Sequence, residues 1–90
     1  MFKTLEELIT VIRQRKDSVT EGSYTKKLLE DKKLNIKKVK EEIEELIDAI
    51  DKDTNKVHEA ADVLYHLMVL LEASGIKIED VIDELKKRQK

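Results

Sequence analysis

No proline interrupts this chain at any position, and glycine occurs only at Gly22 and Gly75. A backbone almost free of helix breakers, rich in Leu, Ile, Lys and Glu and with only 3% aromatic residues, is confined to an all-α fold. Ninety residues make one domain, residues 1–90, small enough that oligomerisation is expected to complete its core.

The apolar spacing predicts four to five helices. The first opens at Thr4, where Thr4 and Glu7 fit a capping box, carries Leu5, Leu8, Ile9 and Ile12 on one stripe, and ends near Lys16. Asp17 to Gly22 reads as a loop. Ser23-Tyr24-Thr25 opens a short helix carrying Leu28 and Leu29. Asn35 is the predicted N-cap of a third helix, with Ile36, Val39, Ile43, Leu46, Ile47 and Ile50 at helical spacing as far as Asp51. Asp53 or Thr54 is predicted to cap a fourth helix ending near Ala73, where Gly75 suits a left-handed terminus. A last helix, Glu79 to Lys87, is expected to bury Val81, Ile82 and Leu85.

The fourth segment is apolar over most of its circumference: Val57, Ala60, Ala61, Leu64, Leu67, Met68 and Leu71 form one face, widened by Val63, Val69 and Leu70. Such a helix is buried on most sides, and four short neighbours are too few to enclose it. Part of it is therefore expected at a subunit interface within a helical bundle.

Acids interrupt this apolar segment. Glu59, Asp62 and His66 stand at i, i+3 and i+7, a polar stripe on one face. Glu41, Glu42 and Glu45 lie on the preceding helix, with thirteen residues between Glu45 and Glu59. An antiparallel pair joined by a short turn at 51–54 brings the two acidic stretches face to face. Glu-rich helix surfaces often produce E-E-x-x-E by chance. E-x-x-D inside an apolar helix is more informative, because burying carboxylates is costly without a positive partner. Clustered carboxylates repel one another, and a hard oxygen-ligated cation, Mg²⁺ or Mn²⁺, removes the conflict. The absence of cysteine and the scarcity of histidine argue against zinc. Mg²⁺ held by carboxylates keeps positions open for phosphates, which makes phosphoryl or nucleotidyl chemistry the leading class. Lys38 precedes Glu42 by four residues, the spacing of an ordinary helix ion pair.

Charged residues are 42% of the chain and nearly balanced, with net charge −2, which excludes a basic nucleic-acid footprint. The N-terminus has no signal-like apolar run, and Val63 to Leu71 is too short to span a bilayer. A cytoplasmic location with no membrane partner is the resulting expectation.

E-E-x-x-E followed by E-x-x-D resembles the metal-binding signature of the all-α, MazG-like nucleotide pyrophosphohydrolases. Within that superfamily, Ser23-Tyr24-Thr25 with Leu28, Lys38-Val39-Lys40-Glu41-Glu42, and Glu59-Ala60-Ala61-Asp62-Val63-Leu64-Tyr65-His66-Leu67 resemble the phosphoribosyl-ATP pyrophosphohydrolases of histidine biosynthesis. The likeness runs from about Leu8 to Leu85. Two positions depart from the family's pattern: Lys40, where a small residue is usual, and Ile43, where alanine is frequent. The resemblance implies Mg²⁺-dependent hydrolysis of 1-(5-phosphoribosyl)-ATP to the AMP compound and pyrophosphate, by a homodimer or homotetramer without the cyclohydrolase domain fused to some such enzymes. By match to the motif, Glu42, Glu45, Glu59 and Asp62 are the metal ligands, and Glu41, beside Glu42, either supports a ligand or orients water as a base. Lys27 and Lys38 are candidates for phosphate charge. Ser23, Tyr24 and Thr25 are expected to close over the nucleotide substrate, and His66 to support a ligand or touch phosphate. Tyr65 reads as a packing residue with a hydrogen-bonded hydroxyl. Two rivals stay open at this point: a house-cleaning pyrophosphohydrolase of (deoxy)nucleoside triphosphates, and a non-catalytic helical dimerisation module.

Overall fold

The computed structural model describes residues 2–17 and 23–89, and among these the chain is all-α. Five helices follow in order: α1 (Lys3–Asp17), α2 (Tyr24–Glu30), α3 (Lys32–Lys52), α4 (Lys56–Ala73) and α5 (Ile78–Arg88). The expected loop at 17–22 gives up Asp17 to α1, and 18–22 lie outside the described residues.

α3 and α4 form the central antiparallel pair, and α4 packs against all four other helices. The core sits where α1, α2 and α4 meet: Ile12, Leu28 and Val69 are buried, with Leu8, Leu29, Leu34, Tyr65 and Met68 around them. Burying three such side chains contributes only several kcal/mol, at about 1.5–3 kcal/mol each.

Helix ends depart from the sequence reading in three places. Thr4 lies inside α1 rather than capping it, because the carbonyl of Phe2 already accepts from the N–H groups of Leu5 and Glu6. Asn35 is not the N-cap of α3. Asp31 takes that position, its carboxylate accepting from Leu34 N–H at 3.1 Å. Asn35 is instead fully buried one turn in, where its amide donates to the Leu28 carbonyl. Asp31 N–H donates to Lys27 O, so one residue ends α2 and begins α3. Nor does Asp53 or Thr54 cap α4. Asp53, in the left-handed region at φ 56°, closes α3, and Thr54 N–H donates to Ala49 O. Asn55, also left-handed, precedes α4 without a side-chain cap. Asp and Asn are the non-glycine residues that best tolerate this conformation, which is what a three-residue hairpin turn requires.

α4 ends as expected. Gly75 at φ 73° lets Ile76 N–H reach Leu71 O and its own N–H reach Glu72 O, a Schellman closure. α5 does not bury its apolar face in this single chain: Ile82 and Leu85 are exposed and Val81 half-buried. Among the described residues its only helix neighbour is α4, apart from a clamp in which Arg13 of α1 donates to both Glu79 oxygens, at 2.6 and 3.0 Å, and to Glu72.

The outer side of the hairpin is apolar and open. Ile36, Ile43, Ile47 and Ile50 of α3 and Leu64 and Leu67 of α4 are exposed, and Val57 is 85% exposed. No helix is long and apolar enough to cross a membrane among the described residues.

Candidate metal centre

The antiparallel pairing sets the second half of α3 beside the first turns of α4. Glu42, Glu45 and Glu59 each bring a carboxylate oxygen to within 4.8 Å of the others. Glu59 also belongs to a second group of the same compactness, with His58 and Asp62. The four carboxylates singled out in the sequence thus converge across the hairpin, with Glu59 common to both halves. His58 was missed. Its only signal is that it stands four residues before Asp62, and the imidazole Nε2 lies 3.4 Å from an Asp62 carboxylate oxygen.

The electrostatics are those of an uncompensated site. The Oε2 atoms of Glu42 and Glu59 are buried with no hydrogen-bond partner among the described residues. Burial, then the neighbouring Glu45 carboxylate, pushes the Glu42 carboxyl above the usual range, and the same two causes raise Glu59. Orphaned anionic oxygens facing one another across a helix pair fit a hard divalent cation, which accepts several carboxylate ligands and leaves room for water and phosphate oxygens. The donor set is oxygen throughout on the α3 side, as Mg²⁺ or Mn²⁺ requires.

The candidate substrate residues divide into two groups. Lys38 Nζ pairs with Glu41 at 3.4 Å rather than with Glu42, because Glu42 turns toward α4. The Lys38 charge acts on both Tyr24 and Glu42, so a cation stands beside the acid centre. Tyr24, Thr25, Tyr65 and His66 form one polar network that fastens α2 to α4. His66 Nδ1 lies 2.8 Å from the Asp62 carbonyl, which can only accept, so Nδ1 carries the proton. Nε2 then accepts from the Tyr24 hydroxyl at 2.9 Å. Thr25 shares a hydrogen bond with the Tyr65 hydroxyl, and the two tyrosine rings stack. His66 is buried with both ring nitrogens engaged, directly behind the turn of α4 that carries Asp62. Ser23 is the N-cap of α2, its hydroxyl accepting from Lys26 N–H. Lys27 is exposed on α2.

The model of the family described as phosphoribosyl-ATP pyrophosphohydrolase matches residues 5–89. The chain belongs to that family. Among curated relatives it is 49% identical to a phosphoribosyl-ATP pyrophosphatase of Clostridium acetobutylicum, over 93% of this chain and 79% of the relative. A phosphoribosyl-ATP pyrophosphatase of Sulfurisphaera tokodaii is 45% identical, over 96% of this chain and 95% of the relative. The histidine biosynthesis bifunctional protein HisIE of Pyrococcus furiosus is 42% identical over 96% of this chain, but the chain spans only 41% of that protein's length. The HisIE protein of Thermotoga maritima is likewise matched over 44% of its length. The match runs across all five helices and so includes the acid centre and the α2–α4 network.

Proposed function

We propose that this chain hydrolyses 1-(5-phosphoribosyl)-ATP to 1-(5-phosphoribosyl)-AMP and pyrophosphate, the second step of histidine biosynthesis. The observation that carries this reading, beside family membership, is the pair of orphaned carboxylate oxygens on Glu42 and Glu59 within a cluster that Glu45 and Asp62 complete. A Mg²⁺ held by these four residues, or Mn²⁺ in its place, supplies neutralisation of phosphate charge and of the departing pyrophosphate.

The rest belongs to the chain's own groups. The water oxygen bonds to the α-phosphorus as the bond to the bridging oxygen breaks, and pyrophosphate leaves. Glu41, next to Glu42 in the chain and paired with Lys38, is the residue to which we assign the support of a ligand or the orienting of that water. A carboxylate in this setting is a weak base, so its contribution is position. Lys38 offers its ammonium to phosphate, the role for which its place beside Tyr24 and Glu42 suits it. Ser23, Tyr24, Thr25 and Lys27 line the α2 side for the nucleotide, while His66 fixes the backbone that carries Asp62. The working form is a homodimer or homotetramer in the cytoplasm, in which a second copy covers the open apolar side of α3 and α4. Light scattering at micromolar concentration tests this, and a stable monomer refutes it.

The deciding assay is pyrophosphate release from phosphoribosyl-ATP with Mg²⁺, run beside ATP, dCTP and dUTP. Release from phosphoribosyl-ATP alone, abolished by EDTA, is the expected result. Release from the simple triphosphates instead would move the enzyme to nucleotide-pool cleansing, and no release from any of the four would leave the helical dimerisation module.

A further inference from the structure

We infer that His58 makes one half of the acid centre a nitrogen-containing site, selective for a later first-row divalent cation over Mg²⁺. This rests on the acid centre being a metal site, but it distinguishes two positions within it. The first, Glu42, Glu45 and Glu59, offers carboxylate oxygen alone. The second, His58, Glu59 and Asp62, offers one imidazole nitrogen and two carboxylates from a single stretch of α4, with Glu59 shared by both.

Three observations support the second position. His58 and Asp62 are one helical turn apart with ligand atoms already 3.4 Å from each other, close to the separation of two donors on one ion. The His58 side chain is 72% exposed, so it can turn the last fraction of an ångström without disturbing the core. Glu59, between them, carries a buried oxygen with no hydrogen-bond partner among the described residues. Imidazole favours the later transition ions, which it binds more tightly in the order Mn²⁺, Fe²⁺, Co²⁺, Ni²⁺, whereas Mg²⁺ gains little from it. His66 cannot substitute, since its two nitrogens are engaged by Asp62 O and Tyr24.

The test is titration of the metal-free full chain with Co²⁺ and, separately, with Mg²⁺, at a pH above the usual imidazole range. Wild type is compared with His58→Gln, and the histidine ring resonances are followed by NMR. The chain has two histidines, so His66 is an internal control. The expected result is Co²⁺ binding that weakens at least tenfold in His58→Gln while Mg²⁺ binding holds within twofold, with the His58 ring signals in wild type shifted most by Co²⁺. Equal Co²⁺ affinity in both proteins, or a Co²⁺ response no larger at His58 than at His66, would reduce His58 to a surface ion-pair partner of Asp62 and overturn the inference. Wild type that binds Mg²⁺ but not Co²⁺ would overturn it while leaving the acid centre intact. Wild type that binds neither ion would remove the metal site altogether, and the inference with it.

Discussion

Two sets of glutamates in this molecule face opposite fates. At the α1–α5 clamp, Glu79 receives two guanidinium hydrogen bonds from Arg13, and that partner holds its carboxyl down to about 2. Across the α3–α4 hairpin, Glu42 and Glu59 each have one buried oxygen without a partner among the described residues, and burial beside Glu45 holds their carboxyls up. The residue type is the same. What separates the sites is whether the protein supplies its own cation. Where it does, the acid joins two helices. Where it does not, the acids share a buried setting, the one in which a divalent ion is proposed above.

Breaking the hairpin set has the largest expected consequence. Glu59→Gln keeps shape but removes charge from both halves of the centre, and turnover should fall on the order of 10²–10³-fold, as when one essential electrostatic contact is lost. Steady-state kinetics against Mg²⁺ concentration checks this, and near-normal turnover would refute the ligand assignment. Next in size is metal linkage itself. Wild type at a hundredfold excess of Mg²⁺ over its dissociation constant should gain about 2.7 kcal/mol, seen as a rise in Tm that EDTA reverses. The same addition to Glu59→Gln should give much less.

The α2 network lies between the extremes, since it is satisfied but adjoins the centre. Tyr24→Phe deletes the hydroxyl that donates to His66 and should cost about 1 kcal/mol in chemical denaturation. If α2 closes over substrate, KM should rise more than kcat falls. The clamp should matter least. Glu79→Gln is expected to lower Tm slightly and leave turnover unchanged, since the pair is exposed and screened by solvent. Its pH signature is definite. A depressed carboxyl stabilises the fold above its ordinary value of 4.5, and that contribution fades as pH falls toward about 2. The Tm difference between wild type and Glu79→Gln should therefore be present at neutral pH and vanish at the acid end. A difference that persists there would show that the glutamate acts by packing.

Much of this arrangement could be read from residue order alone. The span of α4, its glycine terminus and the meeting of Glu42, Glu45, Glu59 and Asp62 all follow from helical periodicity and one short turn, which are local properties. What escaped depended on tertiary competition. Asn35 had the chemistry of a cap, but Asp31 stood three residues before a free N–H, while the end of α2 needed an amide inside the junction. Lys38 had a suitable partner at i+4, yet Glu42 was drawn toward α4 and Glu41 took its place. Val81, Ile82 and Leu85 carry a strong amphipathic pattern, but a pattern says which face wants cover and not whether one chain can provide it. His58 escaped because a lone exposed histidine has no signature until its neighbours are placed around it.

The single residue between α2 and α3 has a mechanical consequence. Asp31 terminates one helix and starts the next, so no slack chain separates them. Any swing of α2 relative to α3 must pass through that joint's two backbone angles. At its other end α2 is latched to α4 through Tyr24 and Thr25. The segment is a short beam held at both ends: release of the latch would let it pivot as a rigid arm, whereas a mutation that loosened the joint would turn the arm into a tether.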